Sequence, residues 1–207
     1  MEQQRIYIVR DILKIQFHLP ELDILRNEIG KCFEINAHHA CIMMTNLLLE
    51  RYCKLVLIYK ATGFKSIQNL KDLEIDFKPA NKKYSSMSLG ETLLECKKEG
   101  IINDEAYNYF KDIKLRLRDG FSHANAALIL KGQIGNFAFG KLDGSQSLEM
   151  KQMVIQNIPP LHGIAVQLFA ESNSIGYFVS VENLIRSTLR TYINDTFEID
   201  LQLIPPI

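Results

Sequence analysis

The stretch from about Ala37 to Ala61 constrains the fold most. Its apolar positions Ile42, Leu49 and Val56, with Met43, Leu47 and Leu57 beside them, recur at helical spacing over several turns. The pattern predicts one long helix with Asn36 as its N-cap. Thr62-Gly63 ends it, because glycine takes the left-handed cap conformation without steric cost. Such a helix must bury its apolar stripe against partners, and 207 residues are enough to build one good-sized core around it.

Helical signals recur on both sides. Pro20-Glu21-Leu22-Asp23 carries the proline and early acids of a helix start, and that helix runs to about Phe33. Ser88, with Glu91 three residues on, forms a capping box ahead of Leu89, Leu93 and Leu94, and Gly100 closes the helix. Asn103 caps the next, which passes through Tyr107, Phe110, Ile113 and Leu117 up to Gly120. Residues 5–18 fit strand and helix equally. Residues 64–87 contain Pro79 and lack sustained periodicity, which predicts a long connection with one short helix near Leu70.

Beyond residue 125 the texture changes. Ala127–Leu130 and Asn136–Gly140, joined by residues 132–135, predict a small hairpin or irregular insertion. A helix from about Ser147 to Asn157 is expected to stop or kink at Pro159-Pro160. Another helix follows from Leu161 to Ser172, then a polar break, Ser172-Asn173-Ser174, and a last helix from Val181 to Asn194. The economical architecture is all-α, an antiparallel bundle of the helices at 37–61, 88–99, 103–119 and 147–172 within one domain spanning 1–207.

Composition narrows the function classes. With 24 basic and 24 acidic side chains the net charge is zero, so any nucleic-acid contact has to come from a local patch. No apolar run approaches the ~20 residues of a membrane span. Met1-Glu2-Gln3-Gln4-Arg5 lacks the features of a signal peptide, and a cytoplasmic protein with no membrane partner is expected. Cys32, Cys41, Cys53 and Cys96 show no C-x-x-C spacing and read as buried thiols. His38-His39-x-Cys41 has metal-ligating residue types but no distant second pair, so no metal or other cofactor is expected. G-x-S-x-G, H-E-x-x-H and Gly-rich phosphate loops do not occur.

Chemistry concentrates in Lys111 to Asn125, where Lys111, Lys114, Arg116 and Arg118 crowd a helix end and His123 stands three residues after Gly120. Arginine offers a bidentate fork for a phosphate, and imidazole has the pKa suited to moving a proton near neutrality. On an ideal α-helix Arg116 and His123 share a face, whereas Arg118 and His123 lie about 140° apart. A break at Gly120 would let the second pair converge. The plain alternative is a solvated basic helix end with His123 in a turn.

The ordered set Leu89-Gly90-Glu91, Gly100-Ile101-Ile102-Asn103 and Arg118-Asp119-Gly120-Phe121-Ser122-His123-Ala124-Asn125 resembles the HEPN superfamily. Those domains are all-α bundles marked by Arg-x4–6-His, with a polar residue after the arginine. Here Arg118-x4-His123 has Asp119 in that place, and Arg116-x6-His123 is a second register. The resemblance covers about residues 36–172, leaving N- and C-terminal extensions outside it.

Many HEPN proteins are metal-independent ribonucleases that act as toxins or defence effectors, so the resemblance implies an RNA substrate. Arg118 and His123 would be catalytic, and Lys114, Arg116, Asp119, Ser122 and Asn125 would contact substrate. It also implies a homodimer with a composite site, and a companion antitoxin or defence protein. Toxins silenced by nucleotide transfer carry tyrosine two residues after the histidine; here that position is Asn125, which puts such control in doubt. A catalytically silent HEPN module that binds RNA or a partner protein is the alternative, and a plain helical scaffold the third.

Overall fold

The computed structural model describes residues 2–63, 70–140 and 148–193, and they are mostly helical with a two-stranded sheet. The elements in order are α1 (Glu2–Lys14), α2 (Pro20–Glu34), α3 (His38–Ala61), α4 (Leu70–Tyr84), α5 (Leu89–Lys98) and α6 (Asp104–Ile113). A π-helical turn (Lys114–Asp119) then leads into α7 (Gly120–Ser122) and α8 (Ala126–Leu130). Strands β1 (Ile134–Gly140) and β2 (Leu148–Val154) follow, then a 3-10 turn (Ile155–Asn157) and α9 (Pro159–Ile193). Among the described residues no helix is long and apolar enough to cross a membrane.

The expected long helix, α3, is the hub, packed against α2, α4, α5, α9 and the π turn. Its buried face runs through Ile42, Leu49, Tyr52, Val56 and Leu57. Asn36 does not cap it: Ala37 is the N-cap and gives no side-chain bond, while Asn36 sits left-handed at φ 56° just past α2. The polar, αL-tolerant residue terminates the preceding helix. Gly63 and Gly100 do take positive φ at helix ends, and Ser88–Glu91 and Asn103 make their expected caps.

Other segments depart from expectation. Residues 70–84 form a helix despite Pro79, because Phe77, Ala80 and Tyr84 recur at helical spacing and pack on the core; Phe77 meets the ring of Tyr59 on α3 edge-on. Residues 64–69 of the expected connection lie outside the described residues. Ala127–Leu130 belongs to α8, and Asn136–Gly140 pairs instead with Met150, Glu149 and neighbours of the stretch read as helical, giving an antiparallel hairpin. Pro159-Pro160 does not stop a helix but starts one, where proline's missing N–H has no cost. Helix α9 runs through Ser172-Asn173, whose side chains bond the carbonyls of Leu168 and Phe169 one turn back rather than ending it.

Segments outside residues 36–172 supply much of the core: Val9, Ile12, Phe17, Leu22, Ile29 and Phe33 at one end, and Phe178, Val181 and Ile185 at the other. They are tied by a buried ionic cluster. Arg26 grips both carboxylate oxygens of Glu182, at 2.6 and 3.0 Å, and reaches Asp23 at 2.7 Å. Arg186 bonds Glu182 at 3.1 Å, and both arginines donate to the carbonyl of Ile12 at 3.0 Å. Two cations and two anions leave no net charge, which is what tolerable burial requires. Arg26 also stacks on Phe17, its guanidinium carbon 3.9 Å from the ring centre.

Candidate functional site

The basic segment enters from α6, whose buried Phe110 and cap at Asn103 anchor it. Within Lys114–Asp119 the helix widens: the Gly120 N–H donates to the carbonyl of Leu115, five residues back. A π turn marks either a functional position or local strain. Here a side chain occupies the opened turn. The amide of Asn46, on α3, donates to the carbonyl of Leu117 at 3.1 Å, and the hydroxyl of Tyr177, on α9, donates to Asn46 at 2.8 Å. Burial pushes the Tyr177 phenol above its ordinary pKa, so it keeps the proton it donates to Asn46 near neutrality.

Gly120 therefore does not break the helix. It holds helical angles, φ −61° and ψ −51°. Its lack of a side chain serves packing, since a Cβ there would lie 2.7 Å from Cγ1 and 3.4 Å from the backbone nitrogen of Ile129 on α8. The break comes at Ala124, with φ 48°. Because the turn is wide, ideal α-helical phase does not hold between Arg116 and His123.

The two arginines part company. Arg116 stacks on Phe169 of α9 at 4.9 Å and donates to the carbonyl of Ile129 at 3.2 Å, while its Nε is enclosed without a hydrogen-bond partner among the described residues. It is held by packing. Arg118 keeps 34% of its side chain exposed and pairs with Asp119 at 3.0 Å. Lys114 binds the other oxygen of Asp119 at 2.7 Å. Partial burial pushes the Asp119 carboxyl up, but the bonds from Lys114 and Arg118 outweigh it and hold it below the usual range.

His123 is exposed, and among the described residues its imidazole has no hydrogen-bond or ion-pair partner. Ser122 is exposed too, its hydroxyl 3.9 Å from the sulfur of Met43. Asn125 caps α8 by accepting from the Leu128 N–H at 3.2 Å, so its oxygen is already engaged. The structure thus groups Lys114, Arg118 and Asp119, sets His123 in solvent beyond α7, and keeps Arg116 apart.

Several neighbours escaped sequence reasoning. Phe121 meets His39 edge-on at 5.3 Å and lies 6.3 Å from Phe169, so an aromatic row runs from α3 beneath the segment to Arg116. His38 instead bonds Ser174 at 3.0 Å, and the Cys41 thiol is buried and pushed up to about 12. Among the described residues no group of three or more His, Cys, Asp or Glu is placed to hold a metal ion. Glu50 and Arg51 do not pair with each other: Glu50 binds Lys54, and Arg51 binds Glu21. The signal for Asn46 was available, as a polar residue on the apolar face of the long helix.

Compared with protein-family models, curated proteins and solved structures, the chain matches none.

Proposed function

We propose that the chain is a HEPN-like domain that engages RNA at the Arg118–His123 segment and cleaves it without a metal. The observation that carries this reading is the contrast between side chains of one segment. Arg118 and His123 reach solvent and His123 has no partner among the described residues, whereas Arg116 is spent on Phe169 and Ile129. On this reading the four-residue register, Arg118-x4-His123, carries the site.

The chemistry follows from the residue types. His123 takes the 2′-OH proton, the 2′-oxygen attacks phosphorus, and the bond to the 5′-oxygen breaks as that oxygen is protonated. Arg118 neutralises the non-bridging oxygens in the transition state. One imidazole serves as base; a second copy of the chain supplies the acid, so the active form is a homodimer in which the two segments share a cleft. Such an enzyme fits a toxin or defence role, with a companion protein to restrain it.

A second reading is favoured by the Arg118–Asp119 pair, since a phosphate has to compete with a carboxylate already 3.0 Å from the guanidinium. On that reading the domain is a silent module that binds RNA or a protein. Incubation of purified protein with RNA in EDTA separates the two. Cleavage leaving 2′,3′-cyclic phosphate and 5′-hydroxyl ends, with a 2′-deoxy site inert, supports the enzyme. Binding without cleavage supports the module, and cutting that needs Mg²⁺ and leaves 5′-phosphates defeats the first reading.

A further inference from the structure

A cavity of about 390 Å³ lies between α9 and the stretch that runs from α6 into the π turn. The first wall carries both of its charges, Asp112 on α6 and Arg116 four residues on, whereas α9 contributes uncharged polar groups, Asn173 and Ser180. Leu117 and Val179 add apolar lining. Gly176 lines the cavity too, within α9, and a Cβ there would meet nothing within 4 Å. Glycine is a poor residue for a helix interior. Packing gives no reason for it here, while its bare backbone keeps the cavity open.

The polar groups around this space have bonding capacity left over. The Ser180 hydroxyl donates to the Gly176 carbonyl at 2.8 Å, so in its 2.8 Å contact with Tyr109 the phenol is the donor. The phenol oxygen can still accept. Asn173 donates to the Phe169 carbonyl at 2.7 Å, and its carboxamide oxygen has no partner among the described residues. Arg116 likewise makes one hydrogen bond, to Ile129, and its Nε makes none. Asp112 meets only Lys131, at 3.2 Å, in a pair whose side chains are 59% and 61% exposed. Water competes well with such a pair.

We propose that this cavity binds a free α-amino acid with an apolar side chain. The carboxylate goes to the Arg116 guanidinium, as a charge-assisted hydrogen bond. The ammonium goes to Asp112, with the oxygens of Tyr109 and Asn173 as further acceptors, and the side chain lies against Leu117 and Val179. Opposite charges on one wall select a zwitterion. A simple anion would face the Asp112 carboxylate, and a simple cation the Arg116 guanidinium. RNA is disfavoured for the same reason, since its phosphates would meet Asp112. The volume stands at the small end of the range for ligand sites, which suits a compact molecule rather than a peptide or a nucleic-acid strand. Arg116 thereby acquires a task separate from that of Arg118.

The site involves neither Arg118 nor His123, and its test uses no RNA, so the two proposals fail separately. Isothermal titration of the full chain with L-leucine, L-methionine and L-phenylalanine should show saturable binding at one site for at least one of them. The half-ligands of L-phenylalanine, phenethylamine and 3-phenylpropionate, each lack one charge and should bind about tenfold more weakly or worse. Asp112→Asn should weaken the amino acid by a similar factor while leaving 3-phenylpropionate no weaker. Gly176→Leu should abolish binding by filling the cavity, with helical circular dichroism retained because the added side chain starts in open space. Gly163→Leu, at the other α9 glycine whose Cβ position is open, should leave binding unchanged. Failure of all three amino acids to bind overturns the proposal. So does a half-ligand that binds as well as its parent, or binding that survives Gly176→Leu or is lost equally in Gly163→Leu.

Discussion

Asn46 and Leu117, 71 residues apart, are joined by a 3.1 Å hydrogen bond from a side-chain amide to a carbonyl in the middle of the π turn. The bond explains why a buried helix tolerates a widened turn: a carbonyl displaced from regular α-helical bonding finds a donor on α3. It also fixes the basic segment to the hub of the fold. Asn46→Leu should therefore destabilise the protein by about 3 kcal/mol, since it strands both the Leu117 carbonyl and the Tyr177 hydroxyl and each buried orphan costs about 1–3 kcal/mol. Tyr177→Phe removes one bond and leaves Asn46 still serving Leu117, so its cost should be about 1 kcal/mol. Urea unfolding of both and of the double variant measures this; equal losses would contradict the chain of bonds.

The Arg26–Glu182–Arg186 cluster predicts an ordering of variants. Glu182→Gln leaves two guanidinium groups facing each other out of water, and breaking a buried pair in this way costs about 3–5 kcal/mol. Replacing all three together, Arg26→Met, Glu182→Leu and Arg186→Met, removes the three fully buried charges and leaves only the partly exposed Asp23, which still accepts from the Phe17 N–H, so it should cost less than Glu182→Gln alone. Thermal unfolding decides. A triple variant worse than the single one would mean that the bonds to Ile12 and Asp23 dominate.

Gly120→Ala sets two effects against each other. Alanine is favoured over glycine in a helix by about 1 kcal/mol. The added Cβ, however, would sit 2.7 Å from the Ile129 side chain with the backbone nitrogen close behind, and overpacking costs about 1–3 kcal/mol. A net loss is expected. Adding Ile129→Ala to Gly120→Ala should cost less than Ile129→Ala costs in the wild type, because the new methyl group fills part of the vacated space.

Asp119 gives stability a pH dependence. Its carboxyl has a lower pKa folded than unfolded, so the folded state holds the anion more tightly. That contribution is complete above the unfolded value of about 3.9 and is lost as pH falls through the lower folded value. Wild type minus Asp119→Asn, compared by denaturant unfolding from neutrality downwards, should show a difference that shrinks at and below about pH 4. A difference that instead grew on acidification would mean that the pair with Lys114 and Arg118 does not form.

What could be read from the sequence was local. The Ser88–Glu91 box, the Asn103 cap and the glycine ends at Gly63 and Gly100 each need only a few neighbouring residues and appear as expected, as does the α3 stripe at Ile42, Leu49, Val56 and Leu57, while Met43 and Leu47 of that stripe are exposed. The misread segments depend on distant partners. Residues 148–154 form a strand because β1 lies alongside, and residues 70–84 form a helix because α3 receives Phe77. The π turn is of the same kind: nothing within Lys114–Asp119 announces it, and its explanation lies on Asn46 and Tyr177. At the site, the identities of Arg116, Arg118 and His123 were legible, whereas the contacts that separate the two half-buried arginines rest on Phe169, some fifty positions away.

That separation gives the sharpest test of the site. Arg116 stacks on Phe169 and bonds the Ile129 carbonyl, so Arg116→Ala should lower stability by about 1–3 kcal/mol through lost packing and an orphaned acceptor. Its effect on RNA cleavage should be modest once the fraction folded is accounted for. Among the described residues Arg118 spends its guanidinium only on Asp119, in a part-buried pair, and Asp119 keeps its bond to Lys114, so Arg118→Ala should cost less stability than Arg116→Ala. On the proposed mechanism the same change should slow cleavage by a hundredfold or more, about the scale of one charge-stabilising group, and His123→Ala should do likewise. Asp119→Asn frees the guanidinium and should raise RNA affinity if the carboxylate competes with phosphate. Cleavage rates and urea midpoints measured on one set of preparations separate these effects. If Arg116→Ala abolishes turnover at full folding while Arg118→Ala spares it, the six-residue register carries the chemistry and Phe169 is a positioning residue rather than a packing partner.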